Sequence, residues 1–435
     1  MKFKKSEALK RRAHLLIPGG SHTYAKGDDQ YPEHSPGFLF RGEGSHVWDV
    51  DGNEFIEYGM GLRAVSLGHG HKSVVDAASK QMAMGINFTR PMPIEVECAE
   101  EFLNVIRGAE MVKFAKNGSD VTSAAIRLSR AYTGRDRIAI CGNHPFFSVD
   151  DWFIGSTPMN AGIPAAVREL TVKFEYNNLH SLEALFDQYP DQIACVIMEA
   201  EKESEPAEGF LQGVQQLCRT KGALFVLDEM ITGFRWHLGG AQGFYGLTPD
   251  LSTFGKALGN GFSVAALAGK REIMRLGGLD HTAQRVFLLS YTHGAESHSL
   301  AAAREVIRIY KTEPVIETLW ERGRALQSGI QNAIEEEKLT QYFQVLGKPC
   351  CLTYSTLDDE RKPSQSFRTL FLQETIKRGI IAPSFVVSYS HSESDIARTV
   401  DAVHDALVVY RKALQEGIGK YLQGRPVKPV FRRVN

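Results

Sequence analysis

The feature that most restricts this chain is an alternation, beginning near residue 74, of helical stretches with short runs that are apolar throughout. The helical stretches include VVDAASKQMAMG, EVECAEEFLNVI and VTSAAIRLSRAYTG. The strand-like runs are MVKFA (111–115), RIAIC (137–141), QIACVIME (192–199), ALFVLDE (223–229) and SVAALAG (263–269). Strands separated by helices of this length join through crossover units, which gives a parallel sheet. Runs such as IACVIM and ALFVL leave no polar face for water, so helices must cover both sides of that sheet. The predicted class is α/β.

The flanks read differently. Helical patterning opens the chain and breaks at Pro18-Gly19-Gly20, and residues 21–45 read as loop. GSHVWDVDGNEFIEYG then alternates on both sides of Asp51-Gly52, a hairpin signal. An isolated hairpin is marginal, so this one needs partners. Past a helix at 297–311, residues 315–435 carry amphipathic helices and a few short strands, including PCCLTYS, as in a small α+β domain. The expected division is an N-terminal segment, 1–70, contributing to the small domain; a large domain, 71–312; and a C-terminal small domain, 313–435.

Charge narrows the partners. Lys plus Arg number 50 against 51 Asp plus Glu, a net charge of −1, which provides no basic footprint for nucleic acid. No window approaches the roughly 18–20 apolar residues of a membrane span. The basic start, MKFKKSEALKRRAHLL, lacks the apolar core of a signal peptide. The six cysteines, at 98, 141, 195, 218, 350 and 351, match neither a zinc site nor a disulfide framework. Unpaired thiols suit a reducing compartment, and the expected location is the cytoplasm.

The chemistry concentrates between 223 and 261. ALFVLDEMITGFR is an apolar strand ending in Asp228-Glu229, and ligands of open parallel sheets sit at the carboxyl ends of strands. Then comes PDLSTFGKALGNGF, with Lys256 held between Gly255 and a Gly259-Asn260-Gly261 turn. Glycines let backbone approach a bulky ligand, and a crowded lysine sheds its proton readily, as a Schiff-base nucleophile must. An acid that pairs with a pyridinium nitrogen keeps pyridoxal 5′-phosphate (PLP) an electron sink. Strand-end acid plus glycine-framed lysine is what PLP chemistry needs. The same residues also serve as a helix cap and a solvated surface lysine in many proteins.

A second candidate is FAKNGSDVTSAAIRL, where a strand runs through Asn117-Gly118-Ser119-Asp120 into a helix. Amides at a helix N-terminus, with the Ser119 hydroxyl, suit a phosphate; an ordinary N-cap uses the same residues. His144, Phe146 and Phe147 follow a strand and offer rings that stack on a planar cofactor. Thr292, His293 and Gly294 precede a helix in another polar loop.

These residues together resemble the class III (ω-type) PLP aminotransferases, particularly the glutamate-1-semialdehyde 2,1-aminomutase-like branch. The likeness spans nearly the whole chain through IPGGSHTY, VWDVDGNEFIEYGMGL, LGHGH, KNGSD, RLSRAYTGRD, LDEMITGFR, PDLSTFGKALGNGF, THGAE and SYSH. It implies a type I PLP fold, with a mainly parallel seven-stranded sheet, acting as a homodimer with shared active sites. Lys256 then matches the Schiff-base lysine and proton shuttle, and Asp228 the acid on the pyridine nitrogen. Met230 matches the residue packed on the ring, usually valine. Gly118 and Ser119 match the phosphate-holding residues, and Thr292 the threonine that reaches the phosphate of the neighbouring subunit.

Departures from the family pattern bear on substrate. Asn117-Gly118-Ser119-Asp120 replaces Ser-Gly-Thr-Glu, and Asn143-His144-Pro145 replaces Tyr-His-Gly. The mutase's early Ser-Pro-Val-Arg is Ser21-His22-Thr23-Tyr24 here, and its late Glu-Ala-Gly-Phe segment is Pro383–Ser388, without the glutamate. An unpaired carboxylate in a dry pocket is costly, so a different substrate is expected. Arg90 is an alternative anion contact or a surface ion-pair former. The expected reaction passes an amino group from an amino-acid donor to a small aldehyde, ketone or sugar-derived carbonyl, with pyridoxamine phosphate as the aminated cofactor. Intramolecular aminomutation is the alternative. A non-catalytic binding module is a third reading, against which the intact Lys256 and Asp228 weigh.

Overall fold

The five apolar runs and two further strands form one seven-stranded sheet in the computed structural model, which describes every residue except 143–145, 202–203 and 435. Its strands are β1 (Met111–Ala115), β2 (Arg137–Cys141), β3 (Thr171–Phe174), β4 (Ile193–Met198), β5 (Leu224–Asp228), β6 (Leu251–Phe254) and β7 (Ala265–Gly269). Their spatial order is β1-β7-β6-β5-β4-β2-β3. Strands β2 to β6 pair in parallel, while β7 runs antiparallel to both neighbours. Every residue of β4 and β5 is buried, as strands covered on both faces require.

Two strands, β3 and β6, were not among the apolar runs. Each has four residues, and TVKF carries a lysine while LSTF carries two hydroxyls. In β6 those hydroxyls are buried and paired: Ser252 donates to Gln242 Oε1 at 2.7 Å and Thr253 to Asp228 Oδ1 at 3.1 Å. After β1, helix α1 (Gly118–Thr133) packs Val121, Ala124, Ala125 and Leu128 inward along its i, i+3, i+4 face. Gly134, with φ of 69°, ends it in the left-handed conformation that glycine adopts without strain.

The chain divides into two compact units. Lys72–Ile316 holds the seven-stranded sheet, and Met1–His71 with Glu317–Arg432 builds the other. In the latter, His46–Asp49 and Glu54–Glu57 form the expected hairpin around Asp51-Gly52. Ile380–Ile381 pairs alongside Glu54–Glu57 in parallel, and Val47, Phe55, Ile376 and Ile381 close a small core over it. Within the segment read as loop, Leu39–Glu43 is a strand on the hairpin's outer edge. Its pattern was silent because Leu39 and Phe40 are 50% and 80% exposed, so no buried face imposes alternation. PCCLTYS splits into a 3₁₀ turn, Pro349–Cys351, and a strand, Thr353–Thr356, paired with Phe343–Leu346. All six cysteines are free thiols. Among the described residues no helix is long and apolar enough to cross a membrane.

Asp395 ties the hairpin to the long helix Glu393–Glu416. Its Oδ2 accepts from Ser45 Oγ at 2.9 Å and from the Ser392 N–H at 2.9 Å, and its Oδ1 lies 3.0 Å from His46 Nε2. Burial pushes this carboxyl up, but the hydrogen bonds from Ser392, Ser45 and His46 together hold it below the ordinary range. A depressed folded-state pKa contributes stability that is present above the unfolded pKa and lost as pH falls through the folded one. Asp395→Asn is therefore expected to lower stability at pH 7 by about 1–3 kcal/mol. Urea titrations should show the gap from wild type closing below about pH 4; a gap independent of pH would show that the charge contributes nothing.

Candidate active site

The carboxyl end of β5 supplies three consecutive residues with three separate duties. Asp228 is 1% exposed, and its Oδ1 accepts from the Met230 N–H at 2.9 Å and the Thr253 hydroxyl at 3.1 Å. Both of these donors reach Oδ1, so Oδ2 is the oxygen that a ligand N–H would use. Burial pushes this carboxyl up to about 6, while the Lys256 charge, the Met230 amide and the Thr253 hydroxyl pull it back. A carboxylate under that tension gains most from a bound cation.

Glu229, fully buried next door, is structural. It accepts from the Thr232 hydroxyl, from the Ala241 N–H at 2.7 Å and from the Gln242 N–H at 2.8 Å. It thereby accepts from the amides that open the short helix Gly240–Tyr245, while burial pushes its carboxyl up to about 7. Of the Asp228-Glu229 pair, the helix-cap role falls to Glu229.

Met230 is where the candidate segments converge. A Cβ added to Gly118 would lie 3.0 Å from its sulfur, and one added to Gly255 would lie 2.8 Å from it. The thioether therefore lies between the start of α1 and the residue before Lys256, where a Cβ on either glycine would make the methionine side chain shift. Lys256 heads a 3₁₀ turn, Lys256–Gly259, with φ of 46°. That is left-handed backbone, costly for a side-chain-bearing residue and concentrated at functional sites. The positive charge of Lys256 lowers the Asp228 carboxyl against the upward push of burial.

At the head of α1, the Asn117 N–H donates to Asp120 Oδ2 at 2.9 Å. Ser119 Oγ accepts from the Val149 N–H at 3.1 Å, keeping its own proton to donate. The first-turn amides have no intrahelical acceptor. Lys116 Nζ binds Glu296 Oε2 at 2.7 Å, which brings the 292–296 loop beside this cradle. Thr292 is exposed there, its carbonyl accepting from Asn87 Nδ2 at 3.0 Å.

Other candidates separate. His144 lies outside the described residues. Phe147 is buried against Phe153, with ring centroids 5.6 Å apart, whereas Phe146 is 44% exposed. Arg90 is exposed and forms no ion pair among the described residues. Ser21 lines a cavity of about 430 Å³ in the other unit, along with Lys10, His14 and Lys26, so cations do stand near the segment that lacks the arginine.

The residues present fit PLP: a buried acid at a strand end, a lysine whose charge acts on it, and glycines at the helix N-terminus and before the lysine that both approach Met230. Comparison with known proteins agrees. The class III aminotransferase family matches residues 30–407. The 3-aminobutyryl-CoA aminotransferase of Cloacimonas acidaminovorans is 31% identical, over 95% of this chain and 99% of that protein. The glutamate-1-semialdehyde 2,1-aminomutase of Sulfurihydrogenibium azorense is 30% identical, over 94% and 100%. Among solved structures, the PLP internal aldimine form of the FumI protein of Sphingopyxis sp. MTA144 superposes with a TM-score of 0.87 at 27% identity, covering 95% of this chain and 98% of that one. The chain belongs to the class III aminotransferases, and it is a PLP-dependent enzyme.

Proposed function

We propose that this enzyme transfers an amino group between separate substrates, from an amino-acid donor to a small aldehyde, ketone or sugar-derived carbonyl acceptor. The observation that supports the site assignment is the convergence of Asp228, Gly118 and Gly255, the residue before Lys256, on Met230. Lys256 Nζ would hold the cofactor covalently, Asp228 Oδ2 its ring nitrogen, Met230 one ring face, and Gly118 and Ser119 its phosphate. When bound, PLP supplies the electron sink that lets the donor's Cα–H bond ionise. Asp228 would keep the ring nitrogen protonated, and the Lys256 amine would accept the proton that leaves the donor's Cα.

Thr292 and a ring from the 144–147 segment complete the proposed cofactor contacts. Exposure of Thr292 suits a residue that serves a second copy of the chain, which supports a homodimer with shared sites. Free thiols throughout support a cytoplasmic location.

The aminomutase reading is kept by relatives such as that of Sulfurihydrogenibium azorense. The test is a donor screen on PLP-loaded enzyme with no acceptor present, followed by the visible spectrum and by keto-acid release. The screen includes β-amino donors, because one relative is named for a β-amino acyl thioester. One equivalent of keto acid per site, then amination of an added carbonyl, is the expected outcome. Turnover of a single substrate without any donor would replace it with aminomutation.

A further inference from the structure

The face of α1 that carries Ser119 makes a further set of bonds, all within the unit Lys72–Ile316. Ser119, Thr122 and Ser123 stand at i, i+3 and i+4, so their side chains share that face. Each fixes a different point of the segment 147–152. Thr122 Oγ1 donates to the Phe147 carbonyl at 2.8 Å, and Ser119 Oγ accepts from the Val149 N–H at 3.1 Å. Ser123 takes Ser148, Asp150 and Trp152.

Ser123 is the hub of these contacts. Its hydroxyl donates to Asp150 Oδ2. With its one proton committed there, Ser123 Oγ is the acceptor for the other two, the Trp152 Nε1–H at 2.9 Å and the Ser148 hydroxyl at 3.1 Å. Ser148 Oγ in turn accepts from the Asp150 N–H at 3.1 Å, which closes the chain of bonds on itself. Ser148 and Trp152 are both buried, and a buried donor without its acceptor is costly, so the arrangement has no cheap alternative.

What the hub secures is the backbone between 148 and 150. The Val149 side chain is exposed, so the place of its N–H is set by Ser148 and Asp150 on either side. That N–H is the one Ser119 Oγ accepts. An oxygen that accepts there keeps its own proton to donate, as a phosphate oxygen requires. We propose that Ser123 is a positioning residue for the cofactor's phosphate, acting through Ser148, Asp150 and the Val149 N–H on Ser119. The inference rests on the assignment of Gly118 and Ser119 to that phosphate. Thr122 holds the Phe147 carbonyl separately, so Phe147 keeps its anchor without Ser123.

The experiment measures the affinity of the full-length chain, freed of cofactor, for PLP and for pyridoxal, which lacks the phosphate, by the visible absorbance of the bound ring. Ser119→Ala, Ser123→Ala and the double variant complete a cycle. Alanine is the best helix former, so α1 should hold in each. Ser119→Ala should weaken PLP by about tenfold, the worth of a hydrogen bond to a charged group, and Ser123→Ala by about threefold or more. Pyridoxal should hold to within about twofold in both, since it carries no phosphate for Ser119 to meet. In the Ser119→Ala background the change at 123 should add nothing, because its effect runs through that hydroxyl. Unchanged PLP affinity in Ser119→Ala would remove the phosphate assignment itself, and the proposal with it. A loss in Ser119→Ala with none in Ser123→Ala would overturn the positioning role and leave that assignment standing. Equal losses of PLP and pyridoxal in Ser123→Ala, or additive losses in the double variant, would mean that Ser123 only supports the fold, and would overturn the role as well.

Discussion

Lys256→Ala is expected to lower turnover by roughly 10³-fold or more with every donor, because it removes the covalent anchor and the mobile base together. The fold should persist. The side chain is half-buried, and the left-handed backbone at position 256 strains alanine as much as lysine. Cofactor binding should weaken without vanishing, since Asp228, Met230 and the head of α1 remain. Borohydride treatment and peptide mapping separate this from simple misfolding. Wild type should carry a cofactor-sized mass on Lys256, and the variant should carry none anywhere. Turnover within tenfold of wild type would mean that another amine is the nucleophile.

Which parts of this site were readable in the sequence follows from the range of the interactions that make it. Asp228 stood out because an all-apolar strand ends on it, and Lys256 because glycines frame it; both signals are local. The duty of Glu229 was not local. Its acceptor role depends on amides at 241 and 242 that become a helix start only once the chain has turned. Nor does any pattern place the Met230 sulfur between Gly118 and Gly255, which are distant in sequence. Lys116 and Glu296 meet across 180 residues. Strand β6 was hidden because its serine and threonine look solvent-facing until Gln242 and Asp228 arrive to pair them. The run Met60–Arg63 defies local preference outright, since methionine, leucine and arginine all disfavour positive φ. In each case tertiary partners outweigh the residue's own tendency, and those partners cluster where ligands are expected.

Asp228→Asn isolates charge from shape at the centre of that cluster. The amide keeps an oxygen for the Met230 N–H and the Thr253 hydroxyl, so the strand end and β6 should stay in place. What is lost is the negative charge that holds a proton on the ring nitrogen. Turnover should fall by about 10²–10⁴-fold while the enzyme still binds its cofactor. The cofactor-free protein offers a second readout with a definite sign. Burial raises the Asp228 carboxyl to about 6, above its unfolded value, so the folded state holds that proton more tightly. Wild-type stability therefore carries a component that falls as pH climbs from about 4 through about 6 and is absent in the variant. Against wild type, the cofactor-free variant should gain stability across that window, on the order of 1–3 kcal/mol, less whatever Lys256 loses with its partner. A difference flat in pH would show that the carboxylate is not under strain. Near-normal turnover would show that another group secures the ring nitrogen.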